Sequence, residues 1–277
     1  MNYKFNTVMK SVIKNVNIIL FCGLTICAAG CRKAPDVEKI YTIGKLTWTR
    51  SNDGTLTISG ADSIPNYWLK PKENLPPWFE FRNEITKIVI GDSVTKIGDF
   101  AFFRFENLNS VTIGKSITYI GVRAFCGCSS LKSVIIPNSV KTIANEAFAG
   151  CGSMTFATIP NSVNTIGDAA FYQCENLASV IIPNSVISIG KESFLECTSL
   201  TSITIGNSVI AIGDYAFHYC YDVQEIINYR EIPQIIDEYV FYGINKLTCV
   251  VYVPAGSVTD YKADEVWKTF RNIKAIP

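Results

Sequence analysis

The chain contains a single histidine, His218, among its 277 residues. One histidine excludes the usual multi-histidine metal site, and no evident nucleophile accompanies it as a weak base. Neither sign of charge is in excess, because 25 basic side chains stand against 24 acidic ones. Without a basic stripe, the chain lacks the electrostatic footprint of a nucleic-acid-binding protein. We therefore expect no nucleic-acid partner.

Catalytic motifs are missing as well. The segment Gly114-Lys115-Ser116 has Asn109 where a phosphate-binding loop needs its first glycine, so it is interpreted as a turn. Acidic side chains such as Asp168 fall at variable positions and make no paired constellation of the kind that glycoside hydrolysis requires. The sequence therefore predicts no enzymatic activity, no cofactor and no metal site.

The apolar run Val16–Ile26 is too short for a transmembrane helix. It follows three lysines and no acidic residue, which is typical of a secretory signal. The next segment, Ala28-Ala29-Gly30-Cys31, resembles the lipobox of bacterial lipoproteins, in which the cysteine carries the lipid. We predict a signal peptide over 1–30, lipidation of Cys31 and a tether over 31–40. The alternatives are an ordinary signal cut nearby and a start at Met9 in place of Met1.

The dominant feature of the chain is repetition, because six 23-residue units follow one another without insertion from Ile88 to Glu225. In all six units the third and tenth positions are isoleucine and the fifteenth is phenylalanine. The fifteenth-position residues are Phe102, Phe125, Phe148, Phe171, Phe194 and Phe217. A fixed period of this length predicts a solenoid in which each unit is one coil stacked on the next.

Each unit has the pattern of two short strands and a tight turn. Val134 and Ile136 alternate with Ile135, so the first two point inward and Ile135 points outward. A glycine or proline at the fourth position ends this strand. The Asp-x-Ala-Phe segment that follows the second strand is long enough for only one helical or 3₁₀ turn.

A column of five cysteines occupies the eighteenth position of the units, with Phe105 in its place in the first. Its members are Cys128, Cys151, Cys174, Cys197 and Cys220. This spacing is unlike that of metal fingers, and it favours buried free thiols that pack as small hydrophobic groups. Coils about 4.8 Å apart slightly exceed the Cβ separation of about 3.5–4.5 Å in a disulfide. Disulfides between coils stay open as the alternative.

The repeats are flanked by segments that differ from them. Residues 41–87 carry a hairpin signal with Asp53-Gly54 at its turn and are predicted to form an N-terminal cap. Trp48, Trp68 and Trp78 either plug the open end of the core or stack on a carbohydrate or partner. Residues 226–277 are predicted to hold a partial repeat and a C-terminal cap, with 250–254 as the last strand and an amphipathic helix over Tyr261–Phe270.

The unit [IV]-x-I-[PG]-x-S-[VI]-x-x-I-[GA]-x-x-A-F-x-x-C-x-x-L closely resembles the BspA-like class of leucine-rich repeats. The likeness extends to Gly54–Gly60 and Val253–Val258 in the flanking segments. It implies an α/β leucine-rich repeat solenoid, right-handed and parallel-sheeted, rich in strands, with short helical or 3₁₀ turns and capped at both ends. Such proteins are exported or surface proteins, some implicated in attachment to host matrix proteins or other cells. They share no catalytic residues, so the resemblance implies an interaction role.

Two faces are candidates for ligand binding. The outward side chains of the main sheet are uncharged, and Ile135, Phe156, Thr158 and Ile181 lie together on neighbouring coils. This surface is interpreted either as ordinary solvated sheet or as a docking face for protein or glycan. The alternative face is an edge bearing Tyr172, His218, Tyr219 and Tyr221, whose rings would suit a paratope-like contact.

Together these features predict a monomeric, non-enzymatic lipoprotein of the cell envelope, anchored through Cys31 at the outer membrane or cell surface. Its predicted function is to bind protein or glycan ligands, as an adhesin. A periplasm-facing scaffold or accessory subunit of a nutrient-capture complex is one alternative. An undetected hydrolase or an enzyme accessory is another.

Overall fold

The computed structural model describes residues 18–19, 40–68 and 74–277 of the chain. The predicted signal peptide, Cys31 and the tether lie outside the described residues, except for the backbone of 18–19 and for Ile40. Strand β1 (Ile18–Ile19) pairs in antiparallel fashion with β2 (Ile40–Ile43), and β2 pairs likewise with β3 (Leu46–Arg50). Strand β3 forms the predicted hairpin with β4 (Thr55–Ser59).

From β4 onward the chain winds as a solenoid that adds one strand per coil to a main parallel sheet. Those strands are β5 (Lys87–Ile90), β7 (Ser110–Thr112), β9 (Ser133–Ile135), β11 (Phe156–Thr158), β13 (Ser179–Ile182), β15 (Ser202–Ile205), β17 (Glu225–Asn228), β18 (Val250–Val253) and β19 (Asn272–Ala275). The strand pairing is interrupted between β7 and β9 and between β11 and β13. The coils of β11 and β13 are still joined by a hydrogen bond, since the Ala178 N–H donates to the Thr155 carbonyl at 3.3 Å.

A second parallel sheet collects the short strand that follows the proline or glycine turn of each repeat. Its members are β6 (Lys96–Ile97), β8 (Tyr119–Ile120), β10 (Thr142–Ile143), β12 (Thr165–Ile166), β14 (Ser188–Ile189) and β16 (Ala211–Ile212). Each strand pairs with the next in the repeat register, as in Ile143 with Ile166. The predicted parallel-sheet solenoid with short strands and few helical turns is confirmed.

A third set of hydrogen bonds, which we call the turn ladder, joins the tight turns that follow the second sheet. The Phe125 N–H donates to the Ala147 carbonyl of the next coil at 2.8 Å, and Phe148 does the same to Ala170 at 2.8 Å. The thirteenth and seventeenth residues of every repeat have positive φ, as at Glu192 (56°) and Glu196 (60°). The expected single turn is therefore a hydrogen-bonded turn with two left-handed residues, and alternate N–H groups in it bond the following coil.

The phenylalanine column forms a stack of rings through the middle of the solenoid. Neighbouring rings from Phe102 to Phe217 have centroids 5.2–5.4 Å apart and are nearly parallel. Phe241 continues the stack at 5.7 Å, and Trp78 begins it at 5.8 Å from Phe102. All these rings are fully buried. Stacked aromatic pairs contribute about 0.5–1.5 kcal/mol beyond the area that they bury.

At the N-terminal end, Trp48 and Trp78 are buried against the first coil. The Trp78 Nε1–H donates to the carbonyl of Ala101 at 2.8 Å, just before the 3₁₀ turn Phe79–Phe81. Trp68 lies outside this cluster and is 53% exposed. Two of the three tryptophans thus pack into the end of the core, as the plug interpretation requires, and Trp68 does not.

The C-terminal end differs from the expectation in two respects. The predicted helix over Tyr261–Phe270 is wrong, because helix α1 (Val258–Ala263) and a separate 3₁₀ turn (Trp267–Thr269) replace it after the 3₁₀ turn Ala255–Ser257. The Asp264 carboxylate accepts hydrogen bonds from the N–H groups of Val266 and Trp267, both at 3.0 Å, and so starts the second turn. The chain then returns as β19, so β18 is not the last strand.

The cysteine column consists of free thiols that lie fully buried beside the ring stack. Each thiol donates a hydrogen bond to the phenylalanine carbonyl of the preceding coil, as from Cys128 to Phe102 at 3.3 Å and from Cys174 to Phe148 at 3.4 Å. The first repeat has Phe105 here, whose ring packs against Phe79 instead. Burial raises the pKa of the Cys174 thiol to about 12. These thiols therefore link coils and stay protonated.

Replacing Phe171 by alanine should lower the free energy of unfolding by roughly 3–5 kcal/mol, because it leaves a cavity between two stacked rings. Urea denaturation followed by circular dichroism measures this change. The matched control is Phe156→Ala, which removes an exposed ring and should shift the transition little. Equal stability of the Phe171 variant and the wild type would contradict the stacked core.

Alkylation of the native protein by iodoacetamide at about pH 8 should spare the five column cysteines, because the thiolate is the reactive form and burial disfavours it. After denaturation the same residues should label fully. Peptide mass spectrometry assigns the label to each residue. Disulfide-linked peptides from neighbouring coils would instead support the alternative of bonded thiols.

Candidate functional site

The main sheet presents the predicted candidate residues on its outward side. Ile135 on β9 pairs in register with Thr158 on β11, and Ile181 occupies the same position on β13. The side chains of Ile135 and Ile181 are 71% and 65% exposed although both lie in strands. We call the outward surface formed by Ile135, Thr158, Ile181 and Thr204 the sheet face.

The sheet face is the floor of an open groove of about 870 Å³. The proline turns that end the strands form one side, and the groove continues to Tyr229 on the coil that follows the last repeat. No residue that lines the groove carries a charge. The structure therefore brings Ile135, Thr158 and Ile181 together in one neutral concave surface.

Phe156 is not part of this groove. It precedes Thr158 by two residues on β11, projects from the same side of the sheet and is 49% exposed. Its register partner on β9 is Ser133, a small residue that leaves the ring without a neighbour of similar size. Phe156 consequently lies beyond one edge of the groove.

The groove contains residues that the sequence analysis did not single out. Asn138, Asn161 and Asn184 occupy the fifth position of successive repeats and form an exposed amide row beside the apolar floor. The Asn184 side-chain oxygen accepts a hydrogen bond from the Asn207 N–H at 2.9 Å. The sequence signal for this row is the recurring Pro-Asn-Ser, in which the proline ends the strand and the asparagine follows in the turn. Tyr229 had no such signal, because it follows the end of the periodic segment.

The alternative face is an exposed group of stacked rings, but its membership differs from the prediction. His218 lies 4.1 Å from Tyr219, which stacks on Tyr221 at 5.5 Å between centroids. Tyr172 occupies the same repeat position as His218 two coils earlier and makes none of these ring contacts. Three rings join the group that were not predicted, and these are Tyr215, Tyr239 and Tyr242.

We call the six rings of Tyr215, His218, Tyr219, Tyr221, Tyr239 and Tyr242 the aromatic platform. The His218 ring stacks on Tyr242 at 4.9 Å, and Tyr215 stacks on Tyr239 at 5.6 Å. Tyr215, Tyr221, Tyr239 and Tyr242 are exposed, whereas His218 and Tyr219 are half-buried. Sequence periodicity could not identify Tyr239 and Tyr242, since both lie past the last complete repeat.

The surroundings of His218 and Cys126 limit their reactivity as a base and a nucleophile. The His218 Nδ1 lies 3.1 Å from the backbone carbonyl of Tyr239, so this ring nitrogen is engaged in a hydrogen bond with that carbonyl. Cys126 is half-buried, and burial raises the pKa of its thiol to about 11, which disfavours the nucleophilic thiolate. In the part of the chain that the structure describes, no three His, Cys, Asp or Glu side chains come together as metal ligands.

The helices of the described residues are all too short or too polar to cross a membrane.

The chain was compared with known families and solved structures. The family model "BspA type Leucine rich repeat region (6 copies)" matches residues 77–186 and 164–264. A leucine-rich repeat protein from Bacteroides ovatus is 22% identical, with 85% of this chain and 76% of that chain covered and a TM-score of 0.47. A leucine-rich repeat protein from T. pallidum is 19% identical, with 69% and 83% covered and a TM-score of 0.45.

A leucine-rich cell surface protein from Faecalibacterium prausnitzii is also similar. It is 20% identical, with 88% of this chain and 96% of that chain covered and a TM-score of 0.30. The comparison with curated proteins gave no match.

Exchanging Ile181 for threonine, which neighbouring coils carry at Thr158 and Thr204, should change the free energy of unfolding by no more than about 0.5 kcal/mol. Its side chain is exposed and packs little. The matched control is Ile182→Thr on the same strand, where the side chain is buried and the loss should exceed about 1 kcal/mol. Thermal melts compare the two variants. An equal loss at both positions would show that the sheet face is structural and not free for a ligand.

Proposed function

The chain belongs to the BspA-type leucine-rich repeat family, and we propose that it is a non-enzymatic protein of the cell envelope that binds a protein or glycan ligand through the sheet face, as an adhesin. Proteins of this repeat class are generally scaffolds for binding. The observation that carries the proposal is the neutral groove with two exposed isoleucines on its floor.

The energetics of the groove favour ligand binding. Burying one exposed isoleucine fully against a partner contributes about 1.5–3 kcal/mol. The lining carries no charge, so a ligand that enters the groove desolvates no ionised protein side chain there. The amides of Asn138, Asn161 and Asn184 offer donors and acceptors at the rim, which can fix the orientation of the ligand.

Display at the cell surface rests on the N-terminal segment. The Ala28-Ala29-Gly30-Cys31 motif follows a basic start and a short apolar run, as in lipoproteins. A lipid on Cys31 would anchor the chain, and the short polar segment 32–39 would separate the solenoid from the membrane. A single acyl chain gives only marginal membrane binding, so stable anchoring needs more than one acyl group.

Adhesion can be measured with bacterial cells that display the protein and an immobilised extracellular-matrix preparation. The double variant Ile135→Lys, Ile181→Lys should reduce adhesion to the level of cells without the protein, since it places two charges on the groove floor. The matched control is Ile187→Lys, Ile210→Lys, which alters two isoleucines that are similarly exposed but lie outside the groove. This control should adhere like the wild type.

Location is checked in the same cells by protease treatment of intact bacteria and immunoblotting of the solenoid. Loss of the solenoid signal, with a periplasmic marker retained, is expected for the wild type, and Cys31→Ala should no longer be retained at the surface. Full protection of the wild type would overturn adhesion and favour a periplasm-facing scaffold. Unchanged adhesion of the Ile135, Ile181 variant would overturn the sheet face as the ligand site.

A further inference from the structure

The aromatic platform is exposed at the C-terminal end of the turn ladder and is not used by the sheet face. Its rings come from the sixth repeat and from the coil that follows it, which places Tyr215 against Tyr239 and His218 against Tyr242. The backbone fixes this arrangement, since the Tyr219 N–H donates to the Tyr242 carbonyl at 2.8 Å. The rings are therefore held in a set geometry with open faces and edges.

Close approach of the two coils depends on Gly243. Its φ is 97°, and a Cβ atom added there would lie 3.1 Å from the Cα of Tyr219 and 3.3 Å from the ring of Tyr221. Glycine tolerates both the left-handed backbone and this contact. A residue without a side chain thus lets the tyrosines of the two coils pack against one another.

Tyrosine also occupies two left-handed positions where a smaller residue would serve the fold. Tyr215 and Tyr219 have φ of 60° and 59°, and the column of Tyr219 contains Gly127 and Gly150 in other repeats. A bulky residue in this region of backbone space costs free energy relative to glycine. Because the fold accepts glycine in this column, its packing requirements do not account for the tyrosine. Other repeats carry Arg104, Gln173 and Glu196 in this column, so the residue there varies freely and the ring of Tyr219 is available for binding.

Acidic side chains border the platform on the preceding coil. The Glu192 N–H donates to the Asp214 carbonyl and the Glu196 N–H to the His218 carbonyl, both at 2.9 Å. Glu192 and Glu196 therefore stand directly before the rings of Tyr215 and Tyr219. Burial raises the pKa of the nearby Tyr172 hydroxyl, and the charges of Glu196 and Glu192 raise it further.

Two more carboxylates lie next to platform residues in the chain. Asp222 and Glu238 are exposed and adjoin Tyr221 and Tyr239 in the chain. Within the described residues, Glu192, Glu196, Asp222 and Glu238 form no ion pair, and the Glu196 carboxylate accepts a hydrogen bond from the Gln173 side-chain amide at 2.9 Å.

Two lysines are close to this surface. Lys191 is ion-paired with Asp214 at 2.8 Å, and Lys246 lies over the Phe270 ring at 5.8 Å, where burial lowers the pKa of its ammonium group. The charge of Glu192 acts on Lys191 and that of Glu238 acts on Lys246, but neither lysine lies within ion-pair distance of these carboxylates. The surface therefore combines open aromatic faces with unpaired negative charge.

We propose that the aromatic platform and its bordering carboxylates form a second binding site, for a lysine- or arginine-rich segment of a protein partner. The face of an aromatic ring is electronegative and attracts ammonium and guanidinium groups, and the neighbouring carboxylates add charge of the sign that such a segment complements. A neutral sugar would stack on the rings and donate hydroxyl hydrogen bonds to the carboxylates, but it carries no charge that would complement theirs. This site is independent of the sheet face, which has no charge.

The site is tested with the purified full-length protein and a fluorescein-labelled octa-arginine peptide, by fluorescence anisotropy. The double variant Tyr239→Ala, Tyr242→Ala should weaken binding roughly tenfold, since it removes two ring faces and leaves the net charge unchanged. The matched control, Tyr229→Ala, removes an exposed tyrosine of the sheet-face groove and should bind like the wild type. Circular dichroism melts check that both variants are folded.

The carboxylates are tested by Glu192→Gln, Glu238→Gln, which should weaken binding and reduce its dependence on salt. Equal affinity of the Tyr239, Tyr242 variant and the wild type would reduce the interaction to general attraction between charges and overturn the proposal. Binding of a neutral oligosaccharide such as cellohexaose that is lost in the tyrosine variant, with no binding of octa-arginine, would replace the basic segment by a glycan. None of these outcomes bears on adhesion through the sheet face.

Discussion

The structure depends on register between coils, because the ring at the fifteenth position of each repeat finds its stacking partner in the next repeat. The rings stack at 5.2–5.4 Å and Val180 pairs with Ile203 at an offset of one 23-residue repeat. The hydrogen bond from the Cys174 thiol to the Phe148 carbonyl also joins neighbouring coils, at a separation of 26 residues. A coil of a different length would break all three at once. No coil can bury its own apolar stripe, so each repeat is stabilised mainly by its contacts with the neighbouring repeats.

The sequence predicted the inside of the solenoid well, since residues that face the axis recur at fixed positions and repetition reveals them. It did not reveal the turn ladder. Left-handed backbone is signalled by glycine, and only Gly127 and Gly150 mark the seventeenth column, while Arg104, Gln173 and Glu196 adopt the same conformation without a signal. A left-handed residue other than glycine costs about 1–2 kcal/mol. The hydrogen bonds to the next coil, each contributing about 0.5–1.5 kcal/mol, offset much of this cost.

The candidate sites could be predicted where they follow the repeat and could not be predicted where they depart from it. Ile135, Thr158 and Ile181 could be placed on one face because outward positions of a strand follow from its inward ones. Phe156 shares that face but not the groove, since the groove is set by the proline turns at the other end of the strand. Tyr239 and Tyr242 could not be assigned to the platform, because the coil that carries them departs from the period. The rings that Tyr239 and Tyr242 contact are determined by packing at the end of the solenoid, and the repeat positions do not predict that packing.

The two faces differ in how freely they can change. Outward positions of the main sheet carry isoleucine or threonine without altering the coil beneath, so the ligand preference of the sheet face can vary while the core stays the same. The aromatic platform is constrained more tightly, because its tyrosines occupy backbone positions that also bond neighbouring coils and because a larger residue in place of Gly243 would crowd Tyr219 and adopt a left-handed φ of 97°. A change of ring there alters the ring contacts between the last two coils as well as the surface. On the proposed functions, the ligand of the sheet face can change through single outward substitutions, whereas recognition by the platform is tied to the integrity of the last coils.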